Sequence, residues 1–145
     1  MDSPYSDILL KHHRSPVNAG DPMQMPVQKS ARNRSCGDSV TLGIEYDESN
    51  QRIKSIVHHA EGCMLCRASA SILCLVVQNR NLDEIQELRS YVDEVCSIGN
   101  PDKSPQLPTF LSVEHSHHLE SLLEVRKYPT RYKCVKLAWS AITTF

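Results

Sequence analysis

Six cysteines are spread over 145 residues, at positions 36, 63, 66, 74, 96 and 134, and three of them sit where a thiol can act. Cys36 and Asp38 flank a single glycine in the run Arg34-Ser35-Cys36-Gly37-Asp38. Gly37 lets the chain turn so that thiol and carboxylate point the same way. A thiolate beside a carboxylate is a donor pair suited to a metal such as zinc. Read alone, the segment is equally a surface turn with an ordinary half-buried cysteine. Cys63 lies where a strand feeds a helix, and Cys134 where an extended segment feeds another. Helix N-termini present unpaired N–H groups and positive partial charge, which favour thiolate over thiol. Cys36, Cys63 and Cys134 as thiolates, with Asp38, would complete a tetrahedral zinc site. The wide gaps are unlike those of a zinc ribbon, and spacing alone leaves open whether the sulfurs converge.

The elements that must position these residues are read from periodicity. Ser3-Pro4 starts a helix, and Tyr5, Ile8, Leu9 and His12 fall on one helical stripe. Turn-rich sequence over 15–22 ends it. A weak strand is expected over 25–32, and a second in Ser39-Val40-Thr41-Leu42-Gly43-Ile44-Glu45-Tyr46, apolar at alternate positions. A polar turn over 47–51 leads to the returning arm of a hairpin over 52–60, broken by Glu61-Gly62-Cys63. Ala68, Ile72, Leu75 and Val76 then keep a helical period as far as Asn79. Asn81 caps a third helix with Glu84 in capping-box position, and Leu82, Ile85, Leu88, Val92 and Val95 form its apolar face. Residues 98–108, with Gly99 and three prolines, read as a loop. Residues 110–126 read as helical in part, carried by Leu119, Leu122 and Leu123. Pro129 disfavours helix in the residue before it, so 128–133 is expected to be extended or turning. A last helix carries Cys134, Leu137, Ala138, Ala141 and Ile142. The expectation is an α+β fold: a small three-stranded antiparallel sheet packed against about four to five helices, in one domain over 1–145.

Charge and composition exclude some classes. The net charge is −1, from 16 Lys and Arg against 17 Asp and Glu, and the basic residues are scattered, which argues against a nucleic-acid partner. The longest apolar-leaning run, 68–79, is too short to span a bilayer, so no membrane role is expected. Met1-Asp2-Ser3-Pro4 lacks the pattern of a secretory signal. The expected compartment is the cytoplasm, where clustered cysteines favour metal or sulfur chemistry over disulfides.

Three cysteine-centred motifs then carry a family likeness. Tyr5…Ile8-Leu9…His12-His13-Arg14-Ser15-Pro16-Val17-Asn18, Ser35-Cys36-Gly37-Asp38, Glu61-Gly62-Cys63…Ala68-Ser69-Ala70-Ser71 and Tyr128-Pro129-Thr130-Arg131-Tyr132-Lys133-Cys134…Leu137-Ala138-Trp139 resemble the U-type iron–sulfur cluster assembly proteins. That family embraces IscU, the N-terminal domain of NifU, and SufU. The likeness runs through most of the chain and weakens between Asn100 and Leu119. IscU-like scaffolds carry a histidine before the third cysteine, where this chain has Lys133. The long interval from Cys63 to Cys134 and the pattern from Pro129 to Trp139 look like the SufU branch. That resemblance implies zinc held by Cys36, Asp38, Cys63 and Cys134. It further implies persulfide sulfur accepted on Cys36 from a SufS-like cysteine desulfurase and passed to downstream iron–sulfur assembly proteins. Arg131 and Lys133 would add supporting positive charge. The alternative within the family is a scaffold on which a transient iron–sulfur cluster rests on the same Cys36, Cys63 and Cys134.

The remaining candidates read more simply. Cys66 forms a Cys63-x-x-Cys66 pair, yet a small buried residue on the first helical turn explains it better than a disulfide partner or spare ligand. Cys74 and Cys96 lie on apolar helix faces. His115, His117 and His118, among polar neighbours, read as a solvated loop or helix end, and His58-His59 as one ring inward and one outward. A thiol–disulfide protein is disfavoured because Cys63 follows an antiparallel hairpin. A zinc deaminase is excluded because His118-Leu119-Glu120 follows Cys63-Met64-Leu65-Cys66 when it should precede it. A purely structural zinc module would bind metal without sulfur traffic.

Overall fold

The structure, a computed structural model, describes residues 4–48, 51–97 and 104–144. The expected helix start at Ser3, part of the 47–51 turn and the first half of the 98–108 loop lie outside them. Helix α1 (Pro4–Arg14) precedes three strands, β1 (Val27–Asn33), β2 (Asp38–Tyr46) and β3 (Ile53–Glu61). Four further helices follow: α2 (Met64–Val76), α3 (Leu82–Val95), α4 (Val113–Glu120) and α5 (Tyr132–Ile142). The strands form one antiparallel sheet in the order β1-β2-β3, so the α+β expectation holds.

Sheet and helices share one core. In β2 the alternate residues Val40, Leu42 and Ile44 are fully buried, while exposed and half-buried residues alternate along the edge strand β1. Each such aliphatic side chain contributes about 1.5–3 kcal/mol on burial. Helix α2 packs against α1, α5 and β3. Nine of its thirteen residues are buried, as expected of a helix apolar nearly all round. Helix α5 lies across β1 and β2 and buries Trp139. The Trp139 Nε1–H donates to Ser69 Oγ at 3.0 Å, and Ser69 Oγ donates to the Val135 carbonyl at 2.6 Å, which braces α2 against α5.

Local signals account for the element ends. The Asn81 carboxamide accepts from the Glu84 N–H at 2.9 Å, and the Glu84 carboxylate accepts from the Asn81 N–H at 3.1 Å, completing the expected capping box. Two boundaries differ from expectation. The 110–126 segment divides into α4 and a tighter 3₁₀ stretch, Ser121–Lys127. Residues 129–131 form a 3₁₀ turn, and α5 already begins at Tyr132. Pro129 does bar helix at Tyr128, but its own fixed φ suits a first helical position, so the chain coils immediately after it. Among the described residues no helix is long and apolar enough to cross a membrane.

Candidate metal centre

Three elements converge at one end of the sheet. Asp38 opens β2, paired with Asn33 across the β1–β2 hairpin, and its side chain is 2 % exposed. The hairpin closes through the Asn33 carbonyl, which accepts from the Gly37 N–H at 2.9 Å, with Gly37 at φ 74°. That φ is the left-handed region where glycine is free of the Cβ penalty. Cys63 is the N-cap of α2, with extended backbone and no side-chain capping bond, so its sulfur is left to other partners. Cys134 is the third residue of α5 and is buried. One ligand atom from each of Asp38, Cys63 and Cys134 lies within 4.8 Å of the other two.

The surroundings fit a cation. Asp38 Oδ1 accepts a long bond from the Cys63 N–H at 3.4 Å, whereas Oδ2 is buried with no hydrogen-bond partner. A buried, unpartnered carboxylate oxygen aimed among sulfurs is costly unless something positive meets it. Gly62 makes room: a Cβ there would stand 2.2 Å from Asp38 Oδ1, and its φ of 147° disfavours any other residue. Burial first, and then the neighbouring Asp38 and Cys63, push the Cys134 thiol well above its ordinary range. The Cys134 thiolate is thus disfavoured by its setting, and a divalent ion among the three donors would reverse that balance. Two thiolates and a carboxylate suit zinc, and thiolates suit iron–sulfur clusters equally.

Cys36 stands outside this trio. It lies exposed in the hairpin turn, two residues before Asp38. Lys133 Nζ donates to Ser35 Oγ at 2.8 Å, and Ser35 Oγ lies 3.9 Å from Cys36 Sγ. Lys133 and Ser35 together hold the Cys36 thiol below its ordinary range. Arg131, the last residue of the 3₁₀ turn, lines with Tyr128 and Met64 an open depression of about 600 Å³ over Cys63. Both Met64 and Tyr128 expose apolar surface there, 39 % and 53 %.

The other sequence candidates fall elsewhere. Cys66 is fully buried in the first turn of α2, its thiol pushed up to about 12 by burial and then by Asp38 and Cys63. Cys74 and Cys96 are buried as well. His58 points inward, 3.3 Å from Cys74 Sγ, and His59 points outward to Glu61 at 3.1 Å, the alternation expected of a strand. His117 and His118 do stand in the last turn of α4, as a helix end, but His118 is half-buried and partnered. Its Nδ1 lies 2.7 Å from Nε2 of the buried His12, whose Nδ1 lies 2.6 Å from Ser71 Oγ. The one hint in the sequence was the place of His12 on the apolar stripe of α1. Gly62 and Ser35 also gained roles that nothing local announced.

A sheet of three strands under five helices, with thiols from two helix starts meeting a carboxylate from a strand start, defines the class of the U-type iron–sulfur assembly fold. The NifU-like N terminal domain model matches residues 4–106, and the chain belongs to that family. Among its relatives, the zinc-dependent sulfurtransferase SufU of Bacillus subtilis (strain 168) is 23% identical over 98% of this chain and 88% of its own. The iron–sulfur cluster assembly scaffold protein IscU of Thermotoga maritima is 25% identical over 95% of this chain and 89% of its own. The fold is shared with a SufU chain of Fervidobacterium islandicum, described as an iron–sulfur cluster assembly scaffold protein for the SUF system (TM-score 0.76, 20% identity, 95% of this chain and 93% of that one). A NifU-like N-terminal chain of Brucella abortus matches with TM-score 0.76 and 17% identity, over 95% of this chain and 88% of that one.

Proposed function

We propose that this protein, acting as one domain over 1–145, is a zinc-binding sulfur acceptor. It takes persulfide sulfur from a SufS-like cysteine desulfurase in the cytoplasm and passes it to downstream iron–sulfur assembly proteins. The observation that carries the reading is the division among the cysteines: Cys63 and Cys134 gather with Asp38, while Cys36 stays exposed beside Lys133 with its thiol favoured toward thiolate. Asp38, Cys63 and Cys134 would hold zinc, with Cys36 as the fourth donor until a sulfur donor docks. Bound zinc keeps its thiols deprotonated and shielded from oxidation. The freed Cys36 thiolate attacks the terminal sulfur of the donor's persulfide. The Cys36 Sγ–S bond forms as the donor's S–S bond breaks, and the donor cysteine leaves as thiolate, with no net change of oxidation state. Lys133 and Arg131 supply positive charge beside the sulfurs during the exchange.

A second reading, a scaffold for an iron–sulfur cluster on Cys36, Cys63 and Cys134, is favoured by the relatives named as IscU scaffolds. One experiment separates them. Metal analysis of protein purified without added metal is expected to give about one zinc per chain, lost in Asp38→Ala. Cysteine desulfurase assays with and without the protein are expected to show strong stimulation, abolished in Cys36→Ala. A stable cluster after reconstitution, without stimulation of the desulfurase, would replace the first reading by the second.

A further inference from the structure

The chain as a whole balances 16 basic against 17 acidic residues, yet one groove beside the metal centre does not. It has a volume of about 740 Å³, and among the described residues eleven line it, four of them cationic, Arg32, Arg34, Lys133 and Lys136, and none acidic. Two elements build it. Arg32, near the end of β1, and Arg34, the first residue of the hairpin turn, both line it. Lys133, Lys136, Leu137 and Ser140 fall on one stripe of α5 at helical spacing. The charges are poorly compensated from within. Lys136 Nζ lies 3.6 Å from Asp93 of α3, a carboxylate shared with Arg89 at 3.6 Å. Lys133 is bonded to the Ser35 hydroxyl, and among the described residues neither Arg32 nor Arg34 meets a carboxylate. Like charges held side by side are unfavourable until an anionic partner covers them.

The groove also has a destination. Arg34 is followed by Ser35 and Cys36, and Lys133 is tied to that turn. The cationic lining therefore borders the turn that carries the exposed thiol. We propose that this groove docks an acidic segment of the protein that delivers persulfide sulfur, so that its carboxylates meet Arg32 and Arg34 while the donor cysteine approaches Cys36. The proposal rests on the sulfur-acceptor reading for the identity of its occupant. Arginine is suited to the task because its planar fork takes a carboxylate through two parallel bonds.

The test is the double charge reversal Arg32→Glu with Lys136→Glu, neither residue being part of the metal centre or the thiol's own setting. Circular dichroism and zinc content first establish that the variant folds and loads as the parent does. Binding of a fluorescein-labelled octaglutamate peptide to the zinc-loaded protein, followed by anisotropy, is expected to weaken about tenfold or more in the variant. The parent should lose the peptide as salt is raised. Inorganic sulfate at equal charge concentration should not displace the peptide. Sulfur uptake on Cys36 is then compared for two donors. From the cysteine desulfurase, the variant should be about tenfold slower than the parent, and from the small donor glutathione persulfide it should be equal. Equal peptide binding by parent and variant, or displacement by sulfate, would overturn the groove as a docking site for acidic segments. Equal uptake from the desulfurase would overturn the donor as its occupant. Failure of the parent to take sulfur from either donor would remove the acceptor reading itself, and the two failures are told apart by the peptide arm.

Discussion

Gly62 and Lys133 show how much of the site is decided by single side chains. At Gly62 a β-carbon has nowhere to go, because the Asp38 carboxylate stands 2.2 Å from its place and the backbone φ is 147°. Gly62→Ala is therefore expected to displace Asp38 and to cost about 1–3 kcal/mol of backbone strain. Urea unfolding of the metal-free protein checks the second effect and zinc stoichiometry the first; full zinc loading at parental affinity would show that Asp38 is not a ligand. Lys133 lowers the Cys36 thiol chiefly by hydrogen bonding and further by its charge, with the Ser35 hydroxyl next to the first of these in effect. Lys133→Met removes the lysine's share and leaves the hydroxyl, so the Cys36 thiol should rise toward its ordinary range and carry less thiolate at neutral pH. Alkylation of Cys36 by iodoacetamide in zinc-free protein, followed by mass spectrometry, should slow about threefold or more at pH 7. An unchanged rate would mean that the exposed thiol owes nothing to its neighbour.

Among the elements, α2 and α5 matter most, since each brings one sulfur to the centre near its N-terminus. Their mutual placement depends on a buried polar link, Trp139 Nε1–H to Ser69 and Ser69 to the Val135 carbonyl. Ser69 is fully buried, so water cannot replace it without entering the core. Ser69→Ala leaves the indole N–H without an acceptor, at a cost of about 1–3 kcal/mol. The two helix starts should also loosen, and zinc affinity measured against a chromophoric chelator is expected to fall with stability. Reduced stability with unaltered affinity would show that the helices are braced elsewhere. The sequence was informative at this scale wherever the signal was local. The Asn81 capping box, the alternation in β2 and the helix entry after Cys63 all depend on neighbours within a few residues. The stretch after Pro129 was harder, because the same proline both bars helix before it and favours helix after it.

For the molecule as a whole, two buried imidazoles contribute to the loss of stability in acid. His12 and His58 are each 3 % exposed, and burial, with His118 and His59 respectively next in effect, lowers each from 6.5 to about 4. Both fold in the neutral form, while the unfolded chain takes up protons near the ordinary value. Stability is accordingly expected to fall as pH drops from about 6.5 toward about 4, by up to about 1.4 kcal/mol per pH unit for each histidine. The urea midpoint of metal-free protein should decline between about pH 7 and about pH 5, and His58→Gln should make that slope shallower. A slope unchanged by the substitution would place the titration elsewhere.

The amino-acid sequence alone determined the kinds of donor available, the order of strands and helices, and the fact that two cysteines stand at helix entries. Periodicity, capping and turn chemistry are short-range and survive in any local reading. Only the tertiary structure decided which donors meet. It gathers Asp38, Cys63 and Cys134 within 4.8 Å and leaves Cys36 outside, links Lys133 to Ser35 across 98 positions, and joins His12 to His118 across 106. Such meetings follow from how α2 and α5 seat on the sheet and on each other. That seating is fixed by the burial of the entire apolar core, which no segment of the chain encodes by itself.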